Sequence, residues 1–227
     1  MQVPRQVLHI ALGPTPQNFA PAPTGVAYQR FGKTGEIAAA LVCEADHIAL
    51  TLREYDGWDR VLPTLVETFT ALARVYITEI PAFSLISVQY LNEFRGKTPQ
   101  AISCAELFRE DGKWLAPFAR DLIDPWHCHV GRFENITEQV RHLINVNFDV
   151  APSQFVSVPV SAQHVRVLIF SGRSYDVAGA SPLTVRGDTL EETLRENLTY
   201  AHIREKRVLE EIFTNDYLMA MGAKHGE

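Results

Sequence analysis

Residues 139–150, QVRHLINVNFDV, decide the fold class, because apolar and polar side chains alternate through the whole stretch. The positions on one face are Val140, His142, Ile144, Val146, Phe148 and Val150. The opposite face carries polar residues such as Arg141 and Asp149. A period of two residues is that of a β-strand with one buried and one solvated side. The stretch therefore predicts an antiparallel sheet that turns one face to a hydrophobic core.

Two other segments repeat their apolar residues every three or four positions, which predicts amphipathic helices. The first stripe consists of Trp58, Val61, Leu62, Leu65, Phe69, Leu72 and Val75. The second follows Asp188, a predicted N-cap, and consists of Leu190, Leu194, Leu198, Ala201, Val208, Leu209 and Ile212. Strand patterns precede each helix, at residues 26–53 and 126–171, and a shorter helix is expected from Thr98 to about Glu110. The sequence thus predicts an α+β fold with two long helices packed on one face of an antiparallel sheet.

The order of strands followed by a helix occurs twice in the chain. We expect a single domain over residues 1–227, with an apolar content of 46% that suffices for a core. The repeated order also suggests an internal duplication, with halves of about 26–110 and 126–222.

Composition and charge exclude several classes of function. The net charge of −6 comes without any block of Lys or Arg, so nucleic acid is not an expected partner. No apolar run approaches the roughly 20 residues that cross a bilayer, and the N-terminus lacks a signal-peptide pattern. Three cysteines are too few for a disulfide framework. We therefore expect a cytoplasmic protein with reduced cysteines and no membrane association.

The stretch WHCHVGRF, residues 126–133, is the strongest candidate for a metal site. On a strand, His127 and His129 share one side with Cα atoms about 6–7 Å apart, which allows two imidazoles to bind one metal. Only two ligands are supplied locally, and no HExxH or CxxC motif completes the set. A strand with Cys128 packed inward and the histidines in solvent is the favoured interpretation, and no cofactor is expected.

A polar set on the predicted strands forms a second candidate site. Tyr90, Asn92, Asn145 and Asn147 could line a concave ligand or peptide surface if the sheet curves. His202, within the last long helix, is added as a binding candidate at the margin of the apolar stripe. The favoured interpretation is that the four strand residues are hydrogen-bonding side chains that face solvent or the edge of the core, and that His202 is a half-buried histidine with its hydrogen bonds satisfied.

Two stretches, one from Tyr55 through the first long helix to Glu93 and one in the last long helix, resemble a sporadically distributed family of uncharacterised prokaryotic proteins of roughly 250 residues. Tyr55-Asp56-Gly57-Trp58 is similar to that family's Y-x-x-W motif, and Gln89-Tyr90-Leu91-Asn92-Glu93 to its R-Y-I-N-R strand. The ending with His202, Leu209, Phe213 and Thr214 is similar to its H-x6-F-x4-T pattern. Here Gln89 and Glu93 replace arginines, and Leu209 replaces an aromatic residue. The resemblance implies no reaction, and the family's sporadic distribution is typical of mobile or defence islands.

Two hypotheses follow from the sequence. The first is a non-catalytic binding or assembly protein with a protein partner, such as a subunit of a bacterial toxin–antitoxin or phage-defence system, with a homo-oligomer left open. The alternative is a small-molecule-binding protein or a metal-dependent hydrolase that uses His127 and His129.

Overall fold

The structure is a computed structural model, and it describes residues 5–12, 25–44, 47–77, 82–95, 104–122, 126–138, 140–152, 163–175, 183–184 and 189–220. The strands are β1 (Arg5–Leu12), β2 (Val26–Phe31), β3 (Ile37–Cys43), β4 (Ile48–Leu52), β5 (Ala82–Phe83), β6 (Leu85–Arg95), β7 (Trp126–Asn135), β8 (Arg141–Pro152), β9 (Gln163–Ser174) and β10 (Leu183–Thr184). The helices are α1 (Trp58–Ile77), α2 (Cys104–Leu107), α3 (Leu190–Ile212), α4 (Asn215–Ala220) and a 3-10 turn at Pro117–Asp121.

Eight of the strands form one antiparallel sheet in the order β2-β3-β4-β1-β6-β9-β8-β7. The remaining two, β5 and β10, pair with each other. Both long helices pack on the same sheet face, and they also contact one another. The structure confirms the α+β class with two long helices on an antiparallel sheet.

The strand order divides the sheet into two units with the same connectivity. β1 to β4 followed by α1 form the first, and β6 to β9 followed by α3 form the second. Within each unit the spatial order is second, third, fourth and first strand, and the two first strands pair at the centre, with Leu8 opposite Tyr90. The units begin earlier than the predicted halves, since β1 and β6 each open a unit. Duplication itself stays a prediction.

The face of the sheet under the helices forms the core, as the alternating pattern of residues 139–150 predicts. Ile144 and Phe148 are buried beneath the C-terminal half of α3. Leu65 and Phe69 of α1 pack with Leu194 and other residues of the first half of α3. Burial of side chains of this size contributes about 1.5–3 kcal/mol each, so the two helices hold the sheet by their apolar stripes.

α1 begins directly after Gly57, whose φ of 109° is a conformation that favours glycine. Pro63 lies in the second turn of α1, one turn later than the start where proline fits best. The predicted stripe is wrong at its end, since Val75 is 67% exposed whereas Ala73 is wholly buried. Successive residues of a helix are rotated by about 100°, so Val75, two positions after the buried Ala73, points away from the core.

Other predicted boundaries also change. α2 ends at Leu107 instead of about Glu110, and the predicted start at Thr98 lies outside the described residues. Thr189 is the N-cap residue of α3, and Asp188 lies outside the described residues. The segment Phe31-Gly32-Lys33-Thr34-Gly35 lies in the hairpin connection between β2 and β3. Among the described helices, none is long and apolar enough to span a membrane.

Candidate functional site

A polar cluster lies where α1, β6 and α3 meet. The Tyr90 hydroxyl and the Nδ1 atom of His202 share a hydrogen bond of 2.8 Å. The Trp58 ring stacks on the imidazole of His202, with centroids 4.3 Å apart and planes inclined by 13°. Tyr55 packs edge-on against Tyr90 at 5.8 Å and also hydrogen-bonds to it. We call these four residues, together with Glu205, the Tyr–His cluster.

Glu205 is the member of the Tyr–His cluster with the most unusual environment. Its side chain is 1% exposed, and its Oε2 atom lies 3.9 Å from Nδ1 of His202. Burial raises the pKa of Glu205 to about 8, with a partial offset from the Lys206 ammonium. Burial, and after it the charge of Lys206, lowers the pKa of His202 to about 4. At neutral pH the contact therefore joins a protonated carboxyl to a neutral imidazole, and it is not an ion pair.

Burial limits what the Tyr–His cluster does chemically. Tyr90 is 1% exposed, and burial raises the pKa of its hydroxyl well above the ordinary value, with a further rise from Glu205. A neutral imidazole and a tyrosine hydroxyl can exchange a proton, but these atoms face the interior. Among the described residues, Oε1 of Glu205 and Nε1 of Trp58 are shielded from solvent and have no hydrogen-bond partner. The geometry favours a structural role for the Tyr–His cluster, which holds α3 against α1 and the sheet.

The structure brings together some of the predicted binding residues and separates others. Tyr90 and Asn92 lie on the helix side of β6, and His202 joins them from α3. Asn92 is 1% exposed, and its amide nitrogen lies 3.5 Å from the carbonyl oxygen of Val167. Asn145 and Asn147 lie on the opposite sheet face, because they alternate along β8 with its buried residues. The five residues therefore do not line one surface.

The stretches that carry the family resemblance converge in the fold. Tyr55 and Trp58 come from the Y-x-x-W stretch, Tyr90 and Asn92 from the strand, and His202 from the last helix. Trp58 and Tyr90 each lie more than 100 positions before His202 in sequence, yet both contact it. The charged run Arg204-Glu205-Lys206-Arg207 predicts a solvated helix face, and that prediction is wrong for Glu205, which is 1% exposed. Its spacing between Ala201 and Val208 is the signal that places it in the apolar stripe.

The histidine pair of β7 lies on the sheet face opposite to the helices. His127 and His129 are both exposed, opposite Asp149 and Asn147 of β8. His142 of β8 is wholly buried on the other face and hydrogen-bonds to Ser171. Within the described part of the chain, no group of three or more His, Cys, Asp and Glu side chains is arranged to hold a metal ion. The three cysteines are free.

The edge strand β2 presents a different kind of surface. All six of its residues are exposed, and no other described strand than β3 pairs with it. Val26, Tyr28 and Phe31 are 54%, 63% and 61% exposed. Val26 and Tyr28 share the face of Cys43 and Leu41, two β3 residues that pack against the core under α1. An apolar strip thus continues the core outward to a strand whose outer backbone edge has no described partner.

The other sheet edge, β7, carries different side chains. Trp126 is partly buried against the core, and its ring lies 6.4 Å from that of Phe108. Arg132 and Glu134, further along β7, form an ion pair of 2.9 Å. Charged side chains and covering elements are common ways to block edge pairing. Among the described residues, all six of β2 are exposed, whereas β7 keeps Trp126, Cys128, Val130 and Glu134 partly buried.

Comparisons with protein-family models, with curated proteins and with solved structures give no match. The resemblance to the uncharacterised prokaryotic family stays a prediction. Function has to be argued from the residues and surfaces of this chain.

Proposed function

We propose that this protein is a non-catalytic binding protein that takes up an extended segment of a partner protein along β2. The single observation that carries the proposal is the exposure of the whole strand, with three large apolar side chains on it. An edge strand offers a row of backbone N–H and C=O groups, and an added strand satisfies them. Large aromatic side chains on such an edge are typical of recognition surfaces.

The side chains of β2 define the chemistry of the segment. Val26 and Tyr28 offer apolar contacts to alternate residues of an added strand, because side chains on one face recur every two positions. Arg30 and Lys33 are exposed at the end of the strand, whereas the whole chain has a net charge of −6. We expect a segment of about six residues that alternates apolar residues and carries a carboxylate near Arg30.

Burial of the Tyr–His cluster favours binding over catalysis. Tyr90 and Glu205 are each 1% exposed. Side chains in such positions stabilise the fold through hydrogen bonds. The family's sporadic distribution, typical of mobile or defence islands, supports a partner encoded at the same toxin–antitoxin or defence locus, which co-expression with neighbouring genes tests.

The test is a peptide selection against the purified protein, followed by affinity measurements. Six-residue extended peptides with alternating apolar residues and a terminal Glu are expected to bind, and versions with a central proline are expected to fail. The variant with Val26→Lys and Tyr28→Lys should weaken binding by about tenfold or more, since each tenfold corresponds to roughly 1.4 kcal/mol.

The matched control is Met219→Lys, which removes a similarly exposed apolar side chain from α4. It should leave the affinity unchanged. Equal binding by the β2 double variant would contradict the proposal. Sedimentation at the same concentrations distinguishes a second occupant: if the wild-type protein is a dimer and the double variant a monomer, a second copy of this chain covers β2 and the peptide proposal is wrong.

A further inference from the structure

Beside α3, on the side away from α1, a second polar group covers the helix face of the sheet. Glu134, His142 and Arg173 lie next to each other in register on β7, β8 and β9. α3 adds Tyr200 and Arg204 above them. Arg173 lies over the Tyr200 ring at 4.3 Å, and the His142 ring meets the same tyrosine edge-on at 5.0 Å. We call this group the arginine layer.

Positive charge exceeds negative charge in the arginine layer. Arg204 donates to Glu134, and Arg132 pairs with the same carboxylate at 2.9 Å. Arg173 brings a third guanidinium. The three cations thus share one carboxylate among the contacts described, although the protein as a whole is acidic. Because Arg204 is 15% exposed, its charge is only weakly screened by water.

Three buried hydrogen-bonding atoms of the arginine layer form no hydrogen bond with the described residues. The Nε atoms of Arg173 and Arg204 are shielded from solvent, and neither has a hydrogen-bond partner among the described residues. The same is true of Nδ1 of His142, whose Nε2 atom is held by the Ser171 hydroxyl at 2.9 Å. Burial, and after it the charges of Arg173 and Arg204, lowers the pKa of His142 to about 4. The imidazole is therefore neutral at pH 7, and the two guanidiniums supply the charge.

We propose that the arginine layer binds the phosphate group of a small phosphorylated molecule between Arg173 and Arg204. Guanidinium groups recognise phosphate through paired N–H donors, and two of them flanking one site match its several oxygen atoms. Tyr200 and Ser171 hold Arg173 and His142 in place, so the donors are positioned before the ligand arrives. Glu134 competes with the anion for Arg204.

The experiment is a titration of the full-length protein with inorganic phosphate, with the melting temperature as readout and chloride added to hold the ionic strength constant. A saturable rise is expected, because a ligand that binds only the folded state stabilises it. Arg173→Gln should raise the apparent Kd for phosphate by about ten- to hundredfold, as expected for the loss of a charged hydrogen-bond donor. The matched control, Arg195→Gln, removes an exposed arginine of α3 that pairs with Glu191 and should have no effect.

A second variant keeps the proposal testable if Arg173→Gln unfolds the protein. Glu134→Gln removes the competing carboxylate, so it should tighten phosphate binding by several-fold. Acetate at the same concentration tests the class of anion. A rise with phosphate and not with acetate supports a phosphate site. An equal rise with both, the absence of a saturable rise, or a Kd that Glu134→Gln leaves unchanged would overturn the proposal.

Discussion

Replacement of Glu205 by glutamine is the sharpest test of the Tyr–His cluster. Burial raises the pKa of the Glu205 carboxyl from its ordinary value of 4.5 to about 8 in the folded protein. The groups that face it are His202 on its own helix, Tyr90 from β6 and Tyr55 from the loop before α1, and Lys206 follows it in sequence. Glutamine has nearly the same shape and carries no proton to lose. The two proteins therefore differ mainly in how their stability depends on pH.

The sign and size of the effect follow from the raised pKa. The folded state binds the proton more tightly than the unfolded state, so the stabilising contribution of the protonated carboxyl is complete below pH 4.5. It is lost as the pH rises to about 8. Each pKa unit corresponds to about 1.36 kcal/mol, so the wild-type protein should lose on the order of 4 kcal/mol between pH 5 and pH 9 through this one group. Glu205→Gln lacks this loss.

The assay is urea unfolding of the wild-type protein, Glu205→Gln and Glu210→Gln at pH 5, 7 and 9. Glu210 is exposed on the same helix, so its replacement should change the free energy of unfolding by less than about 0.5 kcal/mol at each pH. The advantage of Glu205→Gln over the wild type should grow by about 4 kcal/mol from pH 5 to pH 9. A difference that stays constant across this range would refute the burial argument.

Other predictions concern acid stability, the core and the exposed histidines. Because the folded-state pKa of His142 is about 4 against an ordinary 6.5, its contribution to stability is complete above pH 6.5 and falls by about 3 kcal/mol as the pH drops to 4. His142→Gln should flatten that part of the pH profile of urea unfolding. Phe69→Ala should lower the free energy of unfolding by about 3–5 kcal/mol, whereas Val75→Ala, at the exposed end of the same helix, should change it by less than about 0.5 kcal/mol. The double variant His127→Ala and His129→Ala should fold with unchanged circular dichroism and a stability within about 1 kcal/mol of the wild type, and a large loss would show that the pair has a structural role.

Local periodicity predicts much of this fold because it records which side of each element is buried. The alternation from Val140 to Val150 marks the buried face of β8 correctly. The apolar stripe from Leu190 to Ile212 marks the buried face of α3 in the same way. Such patterns arise from contacts between an element and the core as a whole, so they can be recognised without knowledge of the partner strand.

Pairing between distant strands is not recorded in this way. β6 pairs with β1 and β9, which lie far from it in sequence, so the two-unit topology is invisible in the local pattern. The separation of Asn92 from Asn145 is, in contrast, recorded locally. Asn92 continues the alternation of the buried residues Val88 and Tyr90 on β6, whereas Asn145 lies between the buried residues Ile144 and Val146 of β8. The period of two therefore already places the two amides on opposite faces.

Polar residues inside an apolar stripe are the other case in which composition is misleading. Glu205 stands among Arg204, Lys206 and Arg207, which are typical of a solvated helix face. Its position one turn after Ala201 places it in the core, where it is protonated. Spacing is the better guide here, because the direction of a helical side chain depends on its position and not on its charge.

Amide hydrogen exchange of residues 26–31 tests the central claim, strand addition to β2, most directly. The protein is measured alone and with the tightest six-residue peptide from the selection. Strand addition satisfies the outward-facing N–H groups of β2, so alternate amides along residues 26–31 should exchange at least about tenfold more slowly in the complex. If those amides exchange at the same rate with and without saturating peptide, while protection arises elsewhere on the protein, β2 is not the binding site.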